Sequence, residues 1–202
     1  MAQYFENDPE TKSNPQLHQA IVQGNSFLFE TDHGVFSKKG LDFGTRTLLE
    51  TILKKSLQGT ILDFGCGYGP IGIILAKSTK NPVTMIDINR RSLELAKQNA
   101  RLNQVTVHIK ESNFFEQVDT VYDYIVSNPP IRVGKENLYR ILFEAKQYLK
   151  LQGQLWIVVH KDQGAKTVAR DLEKAYQVEI VEKNKGFYII CATKIDNLQY
   201  FC

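Results

Sequence analysis

Asp63-Phe64-Gly65-Cys66-Gly67-Tyr68-Gly69 constrains the fold more than any other stretch of the chain. Glycines at alternate positions open left-handed backbone angles and let another molecule approach the main chain closely. The stretch grows out of Thr60–Phe64, a short apolar run with the character of a buried strand, and leads into Pro70–Lys77, whose apolar residues recur at helical spacing. The pattern then repeats. Val83–Ile88 reads as a strand, Arg90–Leu102 as a helix with Leu93, Leu95, Ala96 and Ala100 inward, and Val105–Ile109 and Tyr122–Ser127 as strands. Glu136–Leu149 reads as a helix, Gln154–His160 as a strand and Ala165–Ala175 as a helix. Gln177–Glu182 and Phe187–Thr193, joined by Lys183-Asn184-Lys185-Gly186, read as a closing hairpin. This alternation predicts an α/β fold: a doubly wound, mostly parallel, Rossmann-like seven-stranded sheet with helices on both faces and antiparallel last strands.

Ahead of the sheet, Ala20–Val22 and Phe27–Phe29 flank Gly24-Asn25 and predict a β-hairpin. Leu41–Leu57 predicts a helix that buries Leu48, Leu49, Ile52 and Leu53, with Thr45 as its cap. The expected organisation is a lead-in and hairpin extension over residues 1–40 and one domain over 41–202. A chain of 202 residues, 43% hydrophobic and 23% charged, can hold a core without staples, which excludes a disordered tail or a coiled coil. Cys66, Cys191 and Cys202 lie far apart with no C-x-x-C pair. Neither a metal site nor a disulfide is therefore expected, and the reducing cytoplasm is the expected location. No run approaches the ~18 apolar residues of a membrane span. The polar start MAQYFENDPETKSNP lacks the apolar core of a secretion signal. A net charge of +3 is too small by itself to imply a nucleic-acid partner.

In a wound sheet, ligands bind beyond the carboxyl ends of the strands. That directs attention to Asp63–Gly69, Asp87, Ser112–Phe114 and Asn128–Ile131. Gly67-x-Gly69-x-x-Gly72, with Asp87 20 residues after Gly67, also spells a dinucleotide fingerprint. Taken alone it does not separate a nicotinamide cofactor from S-adenosylmethionine. Three features favour the latter. Asp63 would repel a pyrophosphate but suits a cationic amino group or its water. The helix after the bend starts at Pro70, which lacks the N–H that anions use. A tetrad after the fourth strand also has no task in hydride transfer. Asp87, at a strand end, suits the two hydroxyls of a ribose; the plain alternative, compatible with that role, is the cap of the helix that follows.

That tetrad is Asn128-Pro129-Pro130-Ile131. Two successive prolines remove two backbone donors and hold Asn128 extended. What remains is a rigid set of acceptors: the carbonyls of Asn128 and Pro129 and the Asn128 side-chain oxygen. Such a set suits a planar exocyclic amine. The plain alternative is a strand end that starts a turn.

The bend, Asp87-Ile88-Asn89 and Asn128-Pro129-Pro130 together resemble the motifs of class I S-adenosylmethionine-dependent methyltransferases that modify exocyclic or amide nitrogens. Gly34-Val35-Phe36-Ser37, Leu41-Asp42-Phe43-Gly44-Thr45 and Ile131-Arg132-Val133-Gly134-Lys135 narrow the likeness to bacterial guanine-N2 methyltransferases of ribosomal RNA, of the small-subunit methyltransferase C type. The likeness runs from about Tyr4 to Thr193. It implies that Asp63, Gly65, Cys66, Gly67 and Gly69 line the methionine end of the cofactor, and that Asp87 with Ile88 holds the ribose. Asn113 and Phe114 would meet the adenine. Asn128, which would also touch the cofactor, Pro129 and Pro130 would form the catalytic corner, and Phe36, Ile131, Arg132 and Lys135 would bind substrate. Where the family carries an aromatic residue in the fourth tetrad position, this chain has Ile131, and 202 residues leave room for one half of the family's tandem architecture.

The substrate implied is an exocyclic guanine N2 amine in ribosomal RNA or the small ribosomal subunit, with no membrane partner. Monomer and homodimer stay open. Phe36 and Phe43 are candidates either for base stacking or for a hydrophobic cover over the sheet. Lys38, Lys39, Arg132, Lys135, Lys161, Lys183 and Lys185 fall in loops, as a phosphate rim or as scattered solvated charge. Cys66 reads as packing, and His33 and His160 as loop caps. Two other functions fit the same motifs: methylation of a protein glutamine amide, and a non-catalytic, cofactor-binding assembly module.

Overall fold

Successive residues of a strand point to opposite faces, and here both faces are apolar. Ile61, Val126, Trp156 and Ile189 enter one core, while Leu62, Ile125, Ile157 and Ile190 enter another. Strands buried on both sides need helices on both sides. The computed structural model of the chain describes residues 14–32, 40–129 and 134–195. Its main sheet comprises β3 (Ile61–Phe64), β4 (Val83–Asp87), β5 (His108–Glu111), β6 (Tyr122–Ser127), β7 (Leu149–His160), β8 (Gln177–Asn184) and β9 (Phe187–Thr193). Their order is β5-β4-β3-β6-β7-β9-β8, with β9 antiparallel to both of its neighbours and the rest parallel. Helices α1 (Phe43–Ile52), α2 (Pro70–Thr79) and α3 (Arg90–Leu102) fill the first core, and α4 (Lys135–Glu144) and α5 (Ala165–Leu172) the second. The expected doubly wound α/β sheet is what forms.

The chain winds from β3 outward to β5, then crosses back to lay β6 on the other side of β3. At such a reversal the carboxyl ends of the two middle strands part and leave a crevice. Ser127 Oγ donates to the Phe64 carbonyl at 2.8 Å across that gap. The residues that follow, Gly65 and Asn128, therefore leave neighbouring strands about 4.8 Å apart.

The hairpin of β1 (Gln16–Val22) and β2 (Asn25–Thr31) is a separate two-stranded sheet. Its turn is Gln23-Gly24, one residue earlier than Gly24-Asn25, because both residues take positive φ (47° and 78°), as a two-residue turn between twisted strands requires. Two asparagines one turn apart, Asn99 on α3 and Asn103 at its C-cap, close its inner edge. Asn99 Oδ1 accepts from Glu30 N–H at 2.7 Å and Asn103 Oδ1 from Leu28 N–H at 3.1 Å, while their amides donate to the Glu30 and Leu28 carbonyls. The two side chains imitate a strand.

Other boundaries move for local reasons. Val105 N–H bonds back to the Ala100 carbonyl, so β5 starts at His108 and not at Val105. The helix expected to reach Leu149 stops at Glu144, continues as a 3-10 turn over Ala145–Tyr148, and lets β7 begin at Leu149. Helix α5 ends at Leu172, whose carbonyl accepts from both Ala175 and Tyr176. Asp42 caps α1, not Thr45, because its extended backbone (φ −70°, ψ 160°) aims a carboxylate oxygen at Thr45 N–H.

Candidate functional site

The glycine bend is held from below by β4. Gly65 and Cys66 N–H both reach the Ile86 carbonyl at 2.9 Å. Gly65, Gly67 and Gly69 have φ of 68°, 55° and 95°, a region side chains disfavour. Gly67 N–H donates to Asp87 Oδ2 at 2.8 Å, so the 20-residue spacing seen in the sequence is a hydrogen bond in the fold. Asp87 Oδ1 accepts from Asn89 N–H at 2.8 Å, while the Asn89 side chain caps α3 through Ser92 N–H. Capping thus falls to Asn89, two residues later than the alternative role considered for Asp87, which is engaged in bracing the bend.

Asp63 lies fully buried under that bend. Its Oδ2 accepts from Gly72 N–H at 2.8 Å, and Oδ1 has no hydrogen-bond partner among the described residues. Burial pushes its carboxyl up to about 8, the Gly72 N–H opposes this, and the charge of Asp87 adds to it. The first turn of α2 has little to offer an anion: Pro70 carries no N–H, and that of Gly72 is committed to Asp63. The Cys66 thiol is buried and pushed well above its usual range, first by burial and then by Asp63 and Asp87. It packs and does not attack.

After β5, Ser112 N–H meets the Asp87 carbonyl at 2.9 Å and its Oγ donates to the Phe114 carbonyl at 2.9 Å. Phe114 is half-buried at φ 50° with the Arg140 guanidinium over its ring at 4.1 Å. Asn113 is exposed and donates to Glu116 at 2.9 Å, and Ile88 is half-buried beside Asp87. Asp63, Gly65, Cys66, Gly67, Gly69, Asp87, Ile88, Asn113 and Phe114 therefore share the carboxyl ends of three adjacent strands.

Across the crevice, Asn128 is half-buried and Pro129 buried. The Asn128 amide nitrogen donates to Thr45 Oγ1 at 2.9 Å, and Thr45 Oγ1 lies 2.6 Å from Asp42 Oδ2. Helix α1 can come this close because Gly44 has no side chain: a Cβ there would lie 2.8 Å from the Phe187 ring. Phe43 packs on Phe187 with ring centroids 5.8 Å apart, and Phe187 on His160 at 4.8 Å. Lys185 sits over Phe43 at 5.0 Å and Lys183 over Tyr188 at 5.2 Å. Lys161 N–H bonds the Gly186 carbonyl at 2.7 Å, so Lys161, Lys183 and Lys185 are gathered at this end of the sheet. Lys135, exposed at the start of α4, opens the helix that follows β6. His160 caps the 3-10 turn after β7 through Asp162 N–H, as expected of it. Phe36, Pro130, Ile131, Arg132, His33, Lys38 and Lys39 lie outside the described residues.

Apart from their place in a motif, the one signal in the sequence for the contact of Thr45 with the corner, and for the bond that ties Asp42 to Thr45, is the D-x-x-T spacing of a helix start. Among the described residues no cluster of three or more His, Cys, Asp or Glu is placed to hold a metal, and no helix is long and apolar enough to cross a membrane.

The chain is 43% identical over 197 residues to the Bacillus subtilis (strain 168) protein "Uncharacterized protein YbxB", covering 95% of this chain and 98% of that one. It is 39% identical over 132 residues to ribosomal RNA small subunit methyltransferase C of Haemophilus influenzae, covering 63% of this chain and 40% of the relative, so it spans less than half of that protein. Among solved structures, the T. thermophilus 16S rRNA N2 G1207 methyltransferase (RsmC) in complex with AdoMet and guanosine shares the fold at a TM-score of 0.81 and 21% identity, over 92% of this chain and 52% of the other. The model of the methyltransferase small domain matches residues 26–191, from the hairpin through β9. A wound sheet with a glycine bend braced by Asp87 and a proline-stiffened corner one strand away thus carries a family's sequence pattern as well as its shape: the chain belongs to the methyltransferase small domain family.

Proposed function

We propose that the chain is an S-adenosylmethionine-dependent methyltransferase acting on the exocyclic N2 amine of a guanine in small-subunit ribosomal RNA, in the cytoplasm. One observation carries the reading: the Ser127–Phe64 hydrogen bond at 2.8 Å sets the acceptor-rich Asn128 corner beside the glycine bend. Bound S-adenosylmethionine supplies an activated methyl group on a sulfonium. Asp63, Gly65, Cys66, Gly67 and Gly69 would take its methionine end, Asp87 and Ile88 the ribose, and Asn113 with Phe114 the adenine. The fit is supported at Asp63, whose buried Oδ1 has no partner among the described residues and, once the carboxyl ionises, is an acceptor suited to an ammonium group or its water. A pyrophosphate finds the opposite there, a carboxyl group and a helix start short of donors.

On the acceptor side, Asn128 Oδ1 and the Pro129 carbonyl would hold the two N–H bonds of a planar amine, fixing its nitrogen toward the bend. Orientation of this kind supplies up to ~7–11 kcal/mol, so no strong general base is needed. Pro130 would stiffen the corner, since a proline fixes φ and removes a donor wherever it stands. Phe36 and Ile131 would face the base, and Arg132 and Lys135 the phosphates, with Lys161, Lys183 and Lys185 extending the positive rim. The names of the relatives of known target support the same substrate.

The test incubates the protein and methyl-labelled cofactor with small subunits from a strain lacking the gene, followed by nucleoside mass spectrometry. Labelled N2-methylguanosine is expected, with the macromolecular label released by RNase. Label removed by protease instead would transfer the activity to a protein amide. A melting temperature raised by NAD(H) and not by S-adenosylmethionine would overturn the cofactor assignment.

A further inference from the structure

The side-chain amide of Asn128 has nearly the same shape either way round, yet one orientation offers an acceptor to the crevice and the other a donor. Its neighbours decide which. Thr45 is buried, and its hydroxyl has one proton to give. Asp42 Oδ2 lies 2.6 Å away, the length of a charge-assisted O–H···O bond, and a carboxylate only accepts. The Thr45 proton therefore goes to Asp42. Toward Asn128, 2.9 Å away on the other side, Thr45 can only accept, so the NH2 of Asn128 must face α1 and Oδ1 must face away from it. Asp42 is itself fixed, since its other oxygen caps α1 by accepting from Thr45 N–H at 3.0 Å.

We infer that Asp42 and Thr45 are positioning residues that set the polarity of the catalytic corner, forcing Asn128 to show an acceptor, and so a preference for –NH2 groups, to the substrate. The inference rests on the proposed methyl transfer to an amine. Reversing the amide would put NH2 against the substrate's NH2, two donors facing each other. Two substitutions test this in opposite ways. Thr45→Val keeps the shape and removes the relay. Asp42→Asn keeps an oxygen for the helix cap but turns an NH2 toward Thr45, which frees the Thr45 proton to pull Asn128 Oδ1 inward.

Each variant is expected to lose ~10–100-fold in kcat, the scale of a small misplacement of reacting groups, while cofactor affinity by calorimetry stays within about twofold. Thr45→Ser, which keeps the hydroxyl, should recover most of the wild-type rate. Rates are compared on whichever macromolecule the wild-type protein labels. Label in protein and not RNA fails the substrate assignment alone, whereas folded Thr45→Val and Asp42→Asn at the wild-type rate overturn the relay. If Thr45→Val fails to fold, Asp42→Asn decides. A readout free of turnover is the Asn128 amide pair in 15N-labelled wild-type protein: cross-peaks from its NH2 protons to Thr45 are expected, and their absence also overturns the inference.

Discussion

The two walls of the crevice are built in different ways. The glycine bend is fixed by its own neighbourhood: the residues that brace it, Ile86, Asp87 and Gly72, all lie within about 25 residues of it, and the bonds are mostly to backbone N–H groups. The Asn128 corner depends on a side-chain chain of command, Asp42 to Thr45 to Asn128, that spans 83 residues between its last two members. The bend keeps its two bonds to the Ile86 carbonyl whatever happens at the Asp63 and Asp87 side chains, whereas a relay of hydroxyl and amide fails with one atom. The wall of the glycine bend is therefore the more robust part of the molecule and the wall of Asn128, the proposed acceptor side, the more sensitive one.

That contrast can be broken most sharply at Asn128. Asn128→Ala should lower methyl transfer by ~10²–10³-fold, the scale of losing one preorganised polar contact, and leave cofactor affinity unchanged by calorimetry. A parallel loss of cofactor binding would mean that the walls are not separable.

A smaller effect is expected from pH at Asp63. Its folded-state value of about 8 lies above the ordinary 3.8, so the folded protein keeps a proton that the unfolded chain releases. Stability contributed by this group is fully present below 3.8 and falls as pH rises, until it levels off above about 8. A cation bound at Oδ1 favours the ionised form, so S-adenosylmethionine affinity should rise between pH 6 and 8 by at most ~10-fold per unit, with proton release. Denaturant titrations and calorimetry at pH 6, 7 and 8 measure both. Asp63→Asn should flatten both dependences, and an unchanged slope in that variant would remove Asp63 from the cofactor wall.

The least effect belongs to the rim. Lys183→Ala with Lys185→Ala should weaken RNA binding severalfold and reduce the slope of log affinity against log salt by ~1–2, with kcat retained. An unchanged salt slope would assign these lysines to stacking on Tyr188 and Phe43 alone.

Much of the architecture was legible because it follows from local pattern. Arg90–Leu102, Tyr122–Ser127 and Phe187–Thr193 have the bounds their periodicity predicts. The errors share a cause. Thr45 is assigned the cap of its helix by residue type, and the cap is the alternative reading of Asp87; in each case a neighbour, Asp42 or Asn89, has the backbone angles to do it. Asn99 on α3 and Asn103 at its C-cap are both buried against the hairpin edge, a contact that no helical pattern reveals.

By itself the sequence determined the bend, the wound sheet and the stiff Asn128–Pro129 backbone, since glycine and proline set dihedral angles wherever they stand. Only the tertiary structure decided which way the Asn128 amide faces and which helix holds it there. Hydrogen-bond polarity at a side chain belongs to its partners in space, and Thr45 becomes a partner only after β3, β6 and α1 have packed.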